Sequence, residues 1–187
     1  MAIVKIEEVG GESLDRVSKI LANIPGGVQK ANYQALKRAG ETAKTKASQL
    51  AVAQYSITKS TFMHNTRQKT HVHGGAGHVE MSLSFSGSVI PLISFQTRAS
   101  RSGGVSASVT RNGGASSLAH AFVANIYGAR GIWERLGKPR FPVRQLYGPS
   151  GPQMINNDTV VQELEQVISS TYESRMEREI LRLMNGW

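Results

Sequence analysis

The sequence predicts an α+β fold in which an antiparallel sheet of four to six strands is packed by a long N-terminal helix and a C-terminal helix. Three observations predict it. Apolar residues recur at helical spacing over residues 13–54, alternate with a period of two from Arg67 onward, and return to helical spacing over 158–184. Helices come first, strands follow and a helix closes the chain, an order that favours a layered antiparallel sheet over alternating parallel units. The 187 residues suit one domain burying roughly 70% of the surface its unfolded chain exposes. Its parts are helical (1–66), antiparallel sheet (67–147), and a proline-rich connection with the C-terminal helix (148–187).

Taken in order, "SLDRVSKILANI" sets Leu14, Val17, Leu21 and Ile24 on one helical face, with Ser13 as its N-cap. Pro25 is suited to start a second helix. From Val28 to about Gln54 the pattern stays helical. Ala35, Ala39, Ala43 and Ala47 form a stripe that admits a neighbouring backbone closely, widened by Leu36 and Leu50. Lys30, Lys37, Lys44 and Lys46 lie opposite. "SITKSTFMHN" reads as a break and a short helix capped by Thr58. In "HVEMSLSF", Val79, Met81, Leu83 and Phe85 alternate with polar residues, as in a half-buried strand. "VIPLISF" reads as a second strand, confined by Pro91 to an edge or bulge. "VSASVTR" places Val105 and Val109 on one face. "LAHAFVANIYG" and "GIWERLG" form a hairpin about Gly128–Gly131. Asp158 caps a last helix to about Met184, with Val161, Leu164, Ile168, Tyr172, Met176 and Leu183 as its apolar stripe. Pro139, Pro142, Pro149 and Pro152 remove four backbone donors, so residues 140–154 are expected to form a stiff arm that does not extend the sheet.

Composition narrows the chemistry. Without cysteine there is neither a disulfide nor a thiolate metal site. The N-terminus "MAIVKIEEVGGE" is read as lacking a signal peptide, and no apolar run is long enough for a membrane span. His71, His73 and His78 could offer imidazoles to a metal, but the one nearby carboxylate is Glu80, and a polar hairpin loop is the better reading. "HGGAG" brushes an oxyanion-loop motif, yet no G-x-S-x-G elbow accompanies it. Phosphate-binding glycine loops are absent. A middle section this poor in carboxylates disfavours magnesium chemistry and paired-carboxylate catalysis. The expectation is a protein that is not an enzyme and needs no cofactor.

Net charge is +9, and its placement is uneven. Residues 51–150 hold eleven bases against Glu80 and Glu134 alone, whereas 151–187 hold three bases and six acids. Such a field favours a polyanion or an acidic protein surface, although charge also serves solubility. Arg98, Arg101 and Arg111 flank the glycine-rich stretch. Arg130, Arg135, Lys138, Arg140 and Arg144 interleave with Tyr127, Trp133, Phe141 and Tyr147. Guanidinium groups among aromatics can serve phosphate and stacking contacts. A nonspecific nucleic-acid-binding protein is therefore one reading. Trp133 and Phe141 can equally be core residues.

Three stretches, "VIPLISFQTR", "VSASVTRNGG" and "AFVANIYGARGIWERLGKPRFPVRQLYGPSGPQM", resemble the minor tail protein Z family of long-tailed bacteriophages. The likeness rests chiefly on Trp133–Arg135, Lys138–Arg140 and Pro142–Ser150. The earlier half resembles the family through its long Ala/Lys helix and the Tyr55-x-Ile57 step. "IYGARGIWERL" departs from the family pattern, which has a Gly-His pair nearer the turn. The resemblance implies a structural minor tail protein of a phage or prophage, acting in tail completion and head–tail joining at the DNA channel. It implies other tail and neck proteins as partners, a homo-oligomeric ring that is a hexamer by analogy with tail symmetry, and possible nonspecific contact with phage DNA. Its place would be the virion tail, and the host cytoplasm during assembly. Within that reading Arg98, Arg101, Arg111, Arg130, Lys138, Arg140 and Arg144 would face the channel. Phe141, Leu146, Tyr147 and Trp133 would form the assembly interface, with the proline arm docking on a neighbour.

Overall fold

A computed structural model describes residues 2–6, 12–75, 78–100 and 104–186. Along the chain run β1 (Ala2–Ile6), α1 (Glu12–Ile20), α2 (Gly27–Gln54), α3 (Lys59–Asn65), β2 (Arg67–Gly75), β3 (His78–Ser86) and β4 (Val89–Pro91). A 3-10 turn at Leu92–Ser94 leads to β5 (Gln96–Ala99), β6 (Val105–Ser108), β7 (Ser116–Leu118), β8 (Ala121–Ile126) and β9 (Ala129–Arg135). The chain ends through β10 (Val143–Gln145), β11 (Tyr147–Ser150), α4 (Gly151–Ile155) and α5 (Asp158–Met184). The class is α+β with the two long helices expected. Among the described residues no helix is long and apolar enough to cross a membrane.

The chain divides into two compact units. Unit one is Met1–Ala47, Gln68–Phe85 and Val161–Trp187; unit two is Ser48–Arg67 and Ser86–Val160. In unit one the sheet order is β1-β3-β2, with Val4 opposite Leu83. Val79, Met81, Leu83 and Phe85 are buried, as their alternation predicts. The alanine stripe of α2 is fully buried and starts one turn earlier than predicted, at Ala31. Gly40 on the same helix shows how close the approach is. A Cβ there would lie 2.6 Å from Thr70 Cγ2 and 2.7 Å from Met81 Sδ. Val17, Leu21, Ala31, Ala35 and Met176 form a further cluster, flanked by Ile24, Val28, Tyr172, Ile180 and Leu183. The Tyr172 hydroxyl donates to Asn32 Oδ1 at 3.1 Å, satisfying a buried amide.

Several expectations need correction. Among the described residues, the single sheet of four to six strands is instead four separate sheets, three of three strands and one of two. The reason is local. "VIPLISF" is cut after three residues because Pro91 offers no donor and Leu92–Ser94 coil into a 3-10 turn. β4 consequently pairs with β11, and the strands that follow form their own small sheets, β5-β6-β7 and β10-β9-β8. Ser13 lies inside α1, and α2 begins at Gly27 after Gly26 turns at φ +68°, not at Pro25. The cap of α5 is Asn157, whose Oδ1 accepts from the Thr159 amide at 3.2 Å; Asp158 is already helical. The hairpin turns at Tyr127–Gly128, set by the register that pairs Ile126 with Ala129.

The arm at 140–154 also differs from expectation. Val143–Gln145 extends the sheet, pairing with Arg135–Trp133, and Tyr147–Ser150 pairs with β4. The prolines are accommodated because none occupies a position that must donate. Pro142 precedes β10 and only its carbonyl is used, accepting from the Leu136 amide at 3.1 Å. Pro149 sits where the β11 register shifts, and Pro152 lies in the first turn of α4. What projects from the sheet is the shorter loop 136–142.

Candidate functional site

Dividing the formal charge between the two units sharpens the sequence pattern. Unit two carries ten bases and two acids, Glu134 and Asp158; unit one carries twelve bases and eleven acids. Nearly the whole +9 excess therefore belongs to unit two. Its arginines and lysines at 98, 111, 130, 135, 138, 140 and 144 are all exposed. Arg101 lies outside the described residues.

These cations differ in how their charge is held. Arg144 on β10 faces Glu134 on β9, and its Nε and Nη2 both donate to Glu134 Oε2, at 2.8 and 2.6 Å. That pair matches a positive and a negative charge, so Arg144 adds little to the outward field. Arg111 Nε donates to the Val52 carbonyl at 2.8 Å and its amide to the Gln54 carbonyl, which fixes the loop after β6 against the end of α2. The Arg135 guanidinium lies 5.0 Å from the Phe122 ring centre, and Arg140 lies 5.8 Å from that of Phe141. Arg98, Arg130 and Lys138 have no carboxylate partner among the described residues. With two acids in their unit, these groups present positive charge that outside anions can neutralise.

The four residues expected at an assembly interface separate into two kinds. Trp133 is buried in its own sheet, its Nε1 donating to the Ala124 carbonyl at 3.1 Å. Leu146 is half-buried and its amide donates to the Ile132 carbonyl. Phe141 and Tyr147, by contrast, remain 51% and 49% exposed, and Leu136, at the start of the 136–142 loop, is exposed as well. The residues able to meet a partner are thus the loop aromatic Phe141 with Leu136, and Tyr147 on β11.

Tyr127, named among the aromatics of the basic section, has a geometry the sequence reading did not single out. Tyr127 is the first residue of the two-residue β8–β9 turn, with φ 56°, followed by Gly128 at φ 76°. Both central residues at positive φ are the requirement of a type I′ turn, normally met by Asn, Asp or Gly. A side chain in this region costs roughly 1–2 kcal/mol. Tyr127 is nevertheless 84% exposed, touching Trp133 edge-on with ring centres 6.3 Å apart. The signal was present in the letters "IYGA": a turn-forming pair in which tyrosine stands where asparagine is usual.

Elsewhere the chemistry is thin. His71 and His73 stack on β2 with ring centres 6.2 Å apart, and the side chain of His78 lies outside the described residues. Among the described residues no three His, Cys, Asp or Glu side chains gather to hold a metal. An open cavity of about 510 Å³ in unit one is lined by Lys30, Tyr33, Gln34 and Arg182 among others, and Arg182 is already paired with Glu179 at 2.9 Å. Compared with protein-family models, with curated proteins and with solved structures, the chain finds no match in any of the three.

Proposed function

We propose that this protein is a structural minor tail component of a phage or prophage, acting in tail completion and head–tail joining beside the DNA path, and not an enzyme. The observation that carries the reading is the charge division: ten bases against two acids in unit two, with the described bases exposed, against near balance in unit one. A surface of this kind attracts a passing polyanion, and its cations lack the neighbouring carboxylates that general acid–base or metal chemistry would use. The resemblance of residues 89–154 to the minor tail protein Z family supports the same reading. Its partners would be tail and neck proteins and further copies of itself in a closed ring, a hexamer by analogy with tail symmetry.

The reading is tested by electron microscopy of particles carrying this chain with a label. The label is expected at the head-proximal end of the tail, in the copy number of a ring. Particles without label would remove the proposal. Assembly has its own check. Phe141 and Tyr147 are half exposed and contribute little to the core, so the double alanine variant should fold yet lose oligomer mass in light scattering; unchanged mass would exclude docking through these rings.

A second reading is favoured by the Arg135–Phe122 and Arg140–Phe141 contacts: a nonspecific nucleic-acid-binding protein whose main task is that binding. Affinity falls with salt by about 0.9 log units per log of salt for each neutralised phosphate. A steep dependence in the isolated chain favours the binding protein; weak binding with a shallow one favours the tail component.

A further inference from the structure

We infer that Tyr127 is a stacking contact for the bases of an unpaired nucleic-acid strand, with exposed Arg130, three residues on, for its phosphates. The inference rests on the reading that unit two faces nucleic acid. The β8–β9 turn holds a tyrosine in a backbone region that suits Asn or Gly, and the ring returns almost no burial for it, being 84% exposed. A local rule broken with no gain to the fold points to a role outside it. Trp133 holds the ring edge-on, and Trp133 is itself fixed by its bond to the Ala124 carbonyl. Tyr127 is therefore presented to solvent with one edge against Trp133.

Packing around Trp133 is close: a Cβ on Gly131 would lie 3.2 Å from Trp133 Nε1 and 2.6 Å from Gln145 Nε2, so glycine leaves room for both groups. Gln145 Oε1 accepts from the Tyr147 hydroxyl at 2.9 Å, and Tyr147 is half exposed. Exposed Arg130 is three residues beyond Tyr127, and the carboxylate on its strand, Glu134, is matched by Arg144. Aromatic faces for bases with cations for the backbone are the ingredients of single-strand binding. A duplex hides its base faces, so it would meet only the cations. An acidic protein surface would be drawn by the cations as well, and polyglutamate competition tests for it.

The test is fluorescence anisotropy of the full chain at low salt, with a labelled oligothymidylate, a duplex of equal length, and polyglutamate as competitor. The single strand is expected to bind more tightly than the duplex. Tyr127→Asn should weaken single-strand binding roughly 5- to 150-fold while leaving duplex binding unchanged. Its melting temperature should stay level or rise, because asparagine suits the turn, so the weaker binding is not unfolding. Tyr127→Phe should bind as the parent does. The inference fails if Tyr127→Asn binds normally, if the duplex binds as tightly as the single strand, or if polyglutamate competes as well as oligothymidylate does. Labelled chain at the tail with no Tyr127 dependence would remove the stacking contact alone. Tyr127-dependent binding by a chain absent from particles would remove the tail reading alone.

Discussion

At the scale of single residues, space and pairing decide what a substitution does. Gly40 sits in a helix interior, where alanine is ordinarily better by about 1 kcal/mol. Here the added methyl would press on Thr70, whose β-branched side chain is stiff, and on Met81. Overpacking typically costs about 1–3 kcal/mol, which outweighs the propensity gain. Gly40→Ala should therefore lower the urea midpoint at unchanged m-value; a raised midpoint would show that β2 yields. Arg144 offers the opposite case. It is 61% exposed and its pair with Glu134 contributes no more than about 1 kcal/mol. Its charge is already matched, so Arg144→Ala should weaken heparin binding less than Arg130→Ala does, and a reversed order would contradict the pairing. The bases themselves were legible in the sequence as an excess in its middle. The Glu134–Arg144 match was not, because partners ten residues apart meet only once the β9–β10 register is known.

At the scale of elements, length governed what could be read. The 28-residue α2 repeats its alanine spacing often enough to be unmistakable, and the nine residues of β3 alternate through several cycles. Strands such as β4, β7 and β10 have three residues each, too few for a period to show, and their pairing depends on distant partners. β1 went unread because its five residues are Ala, Val, Ile and one Lys, with no turn signal before them, and it gains its place only by pairing with β3. The proline-rich segment misled for a physical reason: proline removes donors, but strands need donors only at alternate positions and bulges need fewer. Its end is instead secured by Ser150, which begins α4 with a reciprocal cap. Gln153 Oε1 accepts from the Ser150 amide at 2.8 Å, and the Ser150 hydroxyl accepts from the Gln153 amide at 3.4 Å. Ser150→Ala should cost about 0.5–2 kcal/mol, read as a lower thermal midpoint. A midpoint within error of the parent would mean that the Pro152-containing turn holds without its cap.

At the scale of the whole molecule, the question is whether the charge of unit two acts locally or as part of a general positive field. Salt limits the reach of exposed charges to a Debye length of about 8 Å at physiological ionic strength, so bases act on the phosphates that come within that distance. Arg130, Lys138 and Arg140 lie in unit two with almost no acids, while Lys37, Arg38 and Lys46 lie on the exposed side of α2 in unit one, where bases and acids nearly balance. Replacing either triplet by glutamine removes the same net charge. If the field is local, the unit-two variant should flatten the dependence of log affinity on log salt by up to about 0.9 for each phosphate it no longer neutralises, and the unit-one variant should leave it unchanged. If both variants flatten it equally, only net charge matters and the division between units carries no functional meaning. Measuring both variants by anisotropy on one duplex across a salt series separates these outcomes, because nonspecific binding of this kind takes nearly all its strength from the phosphates that are neutralised.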